Sequence, residues 1–328
     1  MVVTHRRPRL ADTAVRYLLD VEGFAPEHVI VVVNGEGGLQ DPVLEDKVRM
    51  VRLPDNQGPA GGFRRGMVEA FADPSVAWVY LCEDDMALLD LPPGRVGRVL
   101  ERTAKLDVHV PVGAVAPFGR VFVPRTGHTR VFVPPRGLPG ELAPVDVSVW
   151  GAALVSRAVF DTGVLPDPEL FFGFEDFDFF CRLRDAGFSL LVDVRSARRT
   201  AGYQTMAGRD ATLAAQRPLD VEEPWRAYYV ARNFFVLARR HGHRGWLAWH
   251  LLFSLRRLQL ARTRAERMAI VHGFVDGARG KLGAHPRYRR TVGERPASVP
   301  EQDASPAPGL APSELAARTF AMVLTHNA

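Results

Sequence analysis

The sequence predicts an α/β fold followed by a helical extension, and three observations carry that prediction. Val29-Ile30-Val31-Val32-Val33 is a β-branched run ended by Asn34-Gly35, the pattern of a strand buried on both faces and closed by a turn. Trp78-Val79-Tyr80-Leu81-Cys82 is a second apolar run, and helical spacing separates such runs through the first 200 residues, as crossover units require. From about 222 to 280 the pattern is helical throughout, with Leu247, Leu251, Leu255 and Leu258 recurring at helical intervals.

Taken in order, Ala11 to Leu19 has helical spacing, with Ala14, Tyr17 and Leu18 on one side. A second helix is expected from Gly62 to Phe71. Residues 111–145, rich in Pro, Gly, Val and Phe, read as strands and excursions. Asp176 to Ala186 reads as a helix closed by Gly187, and Ser189-Leu190-Leu191-Val192 as the strand after it. Residues 291–312 are dense in Pro, Ala and Ser and read as a linker or disordered tail. The expected division is an α/β domain over 1–205, a basic helical subdomain over 206–290 and a Pro/Ala-rich tail over 291–328.

With 328 residues, 47% hydrophobic and 24% charged, the chain has the apolar material for a core, which excludes collagen-like, disordered and disulfide-scaffold classes. Two cysteines, Cys82 and Cys181, build no disulfide framework and fit a reducing compartment. No charge-free stretch reaches the roughly 18 residues of a membrane span, and Met1-Val2-Val3-Thr4 lacks the basic start of a leader. The formal charge of +5 conceals a partition: −4 over residues 1–200 and +9 over residues 201–328. Between 228 and 290, fourteen basic residues face only Glu266 and Asp276, a balance that favours an anionic surface or substrate.

Three motifs carry chemistry. The Trp78 strand runs directly into Glu83-Asp84-Asp85, and alternation lets Glu83 and Asp85 project to one side at a strand's C-terminal end, where open α/β sheets bind ligands. Two hard carboxylates beside a ligand's diphosphate suit Mg2+ or Mn2+; a solvated acidic turn is the alternative. Asn56-Gln57-Gly58-Pro59-Ala60-Gly61-Gly62 leads into a helix whose N-terminus favours phosphate, yet it fits neither the dinucleotide fingerprint nor the P-loop, and by itself it reads rather as a glycine turn packed on the sheet. Glu175-Asp176-Phe177-Asp178 opens a helix inside the aromatic run Phe171-Phe172-Gly173-Phe174. Capping accounts for one of these acids, and an apolar setting that raises a carboxyl pKa, as a general base needs, accounts for another. Asp178 and Arg182 stand four apart, the spacing of an ordinary helix pair.

In sequence order these segments resemble family-2 glycosyltransferases of the GT-A fold, the Rossmann-like architecture of nucleotide-diphospho-sugar transferases, and within them the rhamnosyltransferase-like and galactofuranosyltransferase-like branch. Val2-Val3-Thr4-His5-Arg6-Arg7-Pro8 is similar to the family's opening strand, and Asn56-x-Gly58-x-Ala60-Gly61-Gly62-x-x-x-Gly66 to its glycine segment. Glu83-Asp84-Asp85 stands at the metal motif, Trp150-Gly151 and Glu175-Asp176-x-Asp178 in the acceptor half, and Tyr228-Tyr229-x-x-Arg232-Asn233 at a later helix. The resemblance covers residues 1 to about 240. It departs at Val33, where the family often has an Asp, at Glu83, where it has Asp, and near Thr200, where it often has a metal-binding His.

The resemblance implies inverting transfer of a sugar, rhamnose or galactofuranose favoured, from a dTDP- or UDP-linked donor to a hydroxyl of a cell-envelope glycan, a lipid-linked glycan or a small-molecule aglycone. It implies Asp85 and Glu83 as metal ligands for Mg2+ or Mn2+. It places Thr4, Arg7, Asn34, Asn56, Gly58, Ala60, Gly61, Gly62 and Asp84 on the donor side. Asp176 becomes the general base with Glu175 positioning it, and Trp150 and Asp178 the acceptor side. A sugar nucleotidyltransferase would need glycines in the first strand–helix turn, which here reads His5-Arg6-Arg7-Pro8; a non-catalytic glycan- or lipid-binding scaffold is the other alternative. The basic helices read equally as a peripheral contact to an anionic membrane or as packing on the body or on a second subunit. A cytoplasmic protein is expected, peripheral at the inner membrane face on the first of those readings, with no nucleic-acid partner.

Overall fold

The computed structural model describes residues 1–85, 91–123, 129–138, 141–200, 224–242, 244–261 and 263–288. The Pro/Ala-rich tail and the stretch over 206–223 lie outside the described residues. The core is an eight-stranded mixed sheet in the order β3-β2-β1-β4-β9-β5-β10-β8, built from β1 (Val2–Thr4), β2 (Ile30–Asn34), β3 (Arg49–Leu53), β4 (Trp78–Glu83), β5 (Val112–Ala116), β8 (Leu142–Pro144), β9 (Ala153–Ser156) and β10 (Ser189–Asp193). β6 (Arg120–Phe122) and β7 (Thr129–Val131) form a separate two-stranded ribbon. The first four strands run parallel, and antiparallel β9 is wedged between β4 and β5. The α/β core with a helical C-terminal extension is therefore as the sequence predicts.

Two layers of helix cover the sheet, because strands buried on both faces need apolar cover on each. One face carries α1 (Pro8–Arg16), α2 (Pro42–Lys47) and α4 (Arg95–Ala104), through Ala14, Val15, Leu44, Val96 and Val99. The other carries α3 (Gly58–Phe71), α5 (Arg157–Asp161) and α6 (Glu175–Asp185), through Phe63, Met67, Val159, Phe179 and Phe180. Along β4 the alternation is visible as chemistry: Val79 and Leu81 join the α3/α6 layer, while Tyr80 and Cys82 join the α1/α4 layer. Glu83 continues the first series and Asp84 the second.

Helix boundaries differ from expectation in two places. The helix expected from Ala11 runs from Pro8 to Arg16 and then loosens into a wider turn over Tyr17–Val21. The helix expected from Gly62 starts four residues earlier, at Gly58, with Pro59 in its first turn, where a fixed φ and a missing N–H cost nothing. After β10 a helical stretch α7 covers residues 194–200.

The extension consists of α8 (Pro224–Arg240), α9 (Arg244–Leu260) and α10 (Arg264–Ala278). Ala227, Tyr228, Tyr229, Ala231, Ala261, Ala269, Ile270 and Tyr288 form an apolar cluster within it, joined by Phe171 of the body, while Val230, Val236, Leu237 and Trp246 pack in the same cluster as β4, α3 and α6. α8 and α10 cross closely, since a Cβ on Gly273 would stand 2.2 Å from the Tyr228 carbonyl oxygen. The described residues of the extension therefore pack both on one another and on the body.

Candidate active site

Parallel pairing aligns the C-terminal ends of β1, β2 and β4: Thr4 is in register with Val33, and Val3 with Glu83. Thr4, Asn34 and Glu83-Asp84-Asp85 therefore emerge at one edge of the sheet, the edge where α/β folds bind ligands. Thr4 Oγ1 donates to Asp84 Oδ2 at 2.9 Å. Arg7, one turn beyond β1, reaches both aspartates: its Nη2 lies 2.5 Å from Asp84 Oδ1 and its Nη1 3.1 Å from Asp85 Oδ2. Asp84 is buried. Loss of hydration raises its pKa to about 7 against the pull of Arg7 and the Thr4 hydrogen bond.

The second acidic cluster, some ninety residues further along the chain, arrives at the same place. Glu175 and Asp176 form the first turn of α6 and are both buried. Glu83, pointing to the α6 face, feels them directly: burial pushes its pKa well up, and Asp85 and then Asp176 add repulsion. Glu175 is raised in the same way, by burial first and by Asp176 and Glu83 after it, and its Oε2 has no hydrogen-bond partner. Asp176 is raised to about 7 by burial, opposed by backbone N–H groups, among them that of Phe177, which donates to its Oδ1 at 2.7 Å. Five carboxyls thus come together here, four of them (Glu83, Asp84, Glu175 and Asp176) with raised pKa values, and the Arg7 guanidinium faces the first cluster from just beyond β1. Such a constellation holds its protons to neutral pH and can accept or release one there.

The loop ahead of α6 is held by a pair the sequence flagged only as a motif. Asn233 of α8 donates to the carbonyls of Leu170, Phe172 and Gly173 at 2.7, 2.8 and 2.8 Å. Neighbouring Arg232, wholly buried, donates to the carbonyls of Glu169 and Leu170 and to that of Gly283. These bonds satisfy carbonyls that the sharp path of the loop leaves open, where Phe171 and Phe174 both take a positive φ. The extension thereby fixes where Glu175 and Asp176 stand. Nothing in local sequence gives Arg232 and Asn233 this role, because their partners lie some sixty residues away.

Several residues expected on the donor or acceptor side are already engaged. Asn34 is buried; its Nδ2 donates to Asn56 Oδ1 and the Gly58 carbonyl, while its Oδ1 accepts from the Gln57 N–H, so it clamps the glycine loop. Asn56 Oδ1 also accepts from the Gly58 N–H, an Asx turn opening α3. Gly58 has φ +73°, and a Cβ there would sit 1.8 Å from the Phe171 carbonyl oxygen; one on Gly62 would meet Val3 at 2.5 Å. With Ala60 and Gly61 also buried, close packing of α3 on β1 and on the acidic loop explains this motif. Trp150 corrects the expectation of an acceptor wall: it is 2% exposed, with its ring between Phe63 at 4.9 Å and Phe179 at 5.1 Å. Asp178, wholly buried, is engaged by salt bridges to Arg182 and Arg240 and by a contact with His241.

Glu83, Asp84 and Asp85 are oxygen donors of the kind a divalent cation takes, and Arg7 pairs with Asp84 and Asp85. Among the described residues no three His, Cys, Asp or Glu side chains already surround one point, so a cation would complete its shell with water and ligand phosphate, as Mg2+ commonly does. Thr200, near the expected histidine, is buried and donates its hydroxyl to the Ser196 carbonyl.

Two solved structures are similar in part. A crystal structure of GalNAc-T7 with UDP, GalNAc and Mn2+ matches at 13% identity and a TM-score of 0.43, over 59% of this chain and 41% of that one. The match therefore spans well under half the length of that protein. A crystal structure of Staphylococcus aureus TarS residues 1–349 matches at 14% identity and a TM-score of 0.34, over 85% of this chain and 89% of that one. No protein-family model and no curated protein matches the sequence. The likenesses are distant, and the chemistry of the site rests on the geometry above.

Proposed function

We propose that the protein is an inverting glycosyltransferase moving a sugar from a nucleotide-diphosphate donor to an acceptor hydroxyl, with Asp176 as general base. The observation that carries this reading is the convergence of Glu83-Asp84-Asp85 with Glu175-Asp176 at the C-terminal edge of the sheet, with Asp176 raised to about 7. A buried carboxylate of that basicity is matched to removing a hydroxyl proton near neutral pH.

In the proposed reaction Asp176 accepts the proton of the acceptor hydroxyl as its oxygen attacks the anomeric carbon from the face opposite the diphosphate. The new C–O bond forms as the bond to the diphosphate oxygen breaks, and that oxygen keeps the electron pair. Arg7, held by Asp84 and Asp85, presents positive charge on the leaving-group side. Asp85 and Glu83 would hold Mg2+ or Mn2+, which when bound neutralises diphosphate charge. Glu175, buried beside Asp176, positions it, and burial itself keeps the Asp176 pKa high. Thr4 keeps Asp84 oriented towards the donor. The resemblance in the motifs supports a dTDP- or UDP-linked rhamnose or galactofuranose and a glycan, lipid-linked or small-molecule acceptor.

The test is donor turnover over a panel of UDP-, dTDP- and GDP-sugars, with and without Mn2+, with the anomeric configuration of the product read by NMR. One donor turned over with inversion is the expected result. Binding of no nucleotide and turnover of no donor would overturn the proposal, leaving a scaffold that has kept the fold.

A further inference from the structure

α9 is apolar on its inner side and again on its outer one, with His250, Ser254 and Arg257 also along the helix, and it lies on the surface. Its inner side is anchored by Trp246, whose ring packs on Phe122 at 5.1 Å and on Phe177, the neighbour of Asp176, at 5.2 Å. Its outer side carries Leu251, Leu252 and Leu255, exposed by 40, 63 and 56%. On a helical projection these leucines share one face with exposed Ala248 and Gln259, and exposed Arg256 stands at its edge. A helix face rich in leucine is normally a covered one.

α10, in contact with α9, repeats the arrangement. Met268 and Val271 are 38 and 41% exposed, and exposed Arg264 and Arg267 flank them. The only two acids of the extension after residue 224, Glu266 and Asp276, are both buried. The outward formal charge of these two helices is therefore entirely basic. A second copy brought against this face would set arginines against arginines, which is unfavourable. Protruding leucines edged by arginine fit a fluid, anionic surface, where apolar side chains enter the acyl boundary and guanidinium groups meet phosphate.

We infer that the outer faces of α9 and α10 form a docking surface for an anionic lipid bilayer. Through Trp246 and Phe177 that surface is joined to the helix bearing Asp176, so the site works close to the membrane plane. No described helix is long and apolar enough to cross a membrane, and the contact is a peripheral one.

The experiment is co-sedimentation of the full chain with phosphatidylcholine vesicles and with vesicles containing phosphatidylglycerol, over a salt series. Wild type is expected to bind the anionic vesicles preferentially and to be released by salt. Leu252→Glu/Leu255→Glu should weaken binding by about tenfold or more, from the lost apolar insertion. Arg256→Gln should weaken it by about fivefold and flatten the salt dependence. Unchanged circular dichroism and thermal unfolding show that the variants fold, since the replaced side chains are exposed. Equal binding to both vesicle types, wild-type affinity in the double-leucine variant, or a wild-type dimer that this variant makes monomeric would each overturn the inference. The readout is binding and is independent of any sugar-transfer activity.

Discussion

Asp176 and Asp178 stand two residues apart in the first turn of one helix, both buried, and they end at opposite limits of carboxyl behaviour. Asp176 faces the sheet edge among Glu175, Glu83 and Asp85, where burial raises it to about 7. Asp178 faces the extension. It takes 2.7 Å from Arg182 Nε, 3.2 Å from Arg240 and 3.3 Å from His241, and these partners overcome burial to hold it at about 2. Burial is common to both, so the partners decide. One carboxyl is left able to move a proton, and the other is fixed as an anion that ties α6 to α8.

The sharpest way to break this contrast is to neutralise each in turn. Asp176→Asn should lower transfer by a factor on the order of 10² to 10⁴ with donor affinity near wild type, measured by steady-state kinetics and nucleotide titration. Wild-type turnover in that variant would refute the base assignment. Asp178→Asn should leave the chemistry in place but destabilise the fold by about 2–3 kcal/mol in denaturant unfolding, because Arg182 loses its carboxylate and Arg240 keeps only Asp167, while water reaches both in part.

The two acids also predict opposite pH dependences. Asp178 has a folded pKa below its unfolded value near 3.9, so its stabilisation, about 2 kcal/mol, is full above about pH 4 and is lost as pH falls through about 2. Asp176 has a raised folded pKa, so its protonated form stabilises below about pH 4, and that contribution is lost as pH rises through about 7. Relative to wild type, Asp176→Asn should gain stability between about pH 4 and 7, and Asp178→Asn should lose its deficit only at the acid extreme. Thermal unfolding across pH reads both. For turnover, the acid limb of the kcat profile should show an apparent pKa near 7.

A smaller effect tests how the extension places Asp176. Asn233→Ala removes three hydrogen bonds to the loop at 170–173 and should cost about 1–3 kcal/mol of stability while lowering kcat more than it raises KM. An equal loss in Asn233→Asp, which keeps the size but not the donors, would support the hydrogen-bonding role. Recovery in that variant would refute it.

Much of the fold was legible because its signals are local. The β-branched run at 30–33, the strand at 78–82 and the helix from 176 follow from short-range patterns, and both acidic clusters announce themselves by composition next to strand or helix ends. The glycine segment read by itself as a turn packed on the sheet, and the space at Gly58 and Gly62 is filled by the chain's own Phe171 carbonyl and Val3; the donor-side role came from the resemblance. The resemblance placed Trp150 at an acceptor wall, and it is buried between Phe63 and Phe179, partners some ninety and thirty residues away that no local pattern identifies. Arg232 and Asn233 were visible only as a motif, since the carbonyls they hold come from a distant loop.

By itself the sequence determined the α/β core, its helical extension, the two acidic clusters and the partition of charge, all properties of neighbouring residues or of composition. Tertiary structure alone decided that the clusters meet at one edge of the sheet, that Asp176 and Asp178 part company in proton affinity, and that the basic extension packs on the body with one apolar face left outward. Those outcomes depend on which distant group lies within a few ångströms of a carboxyl or a leucine. Strand register and helix packing set that distance, and no local pattern encodes it.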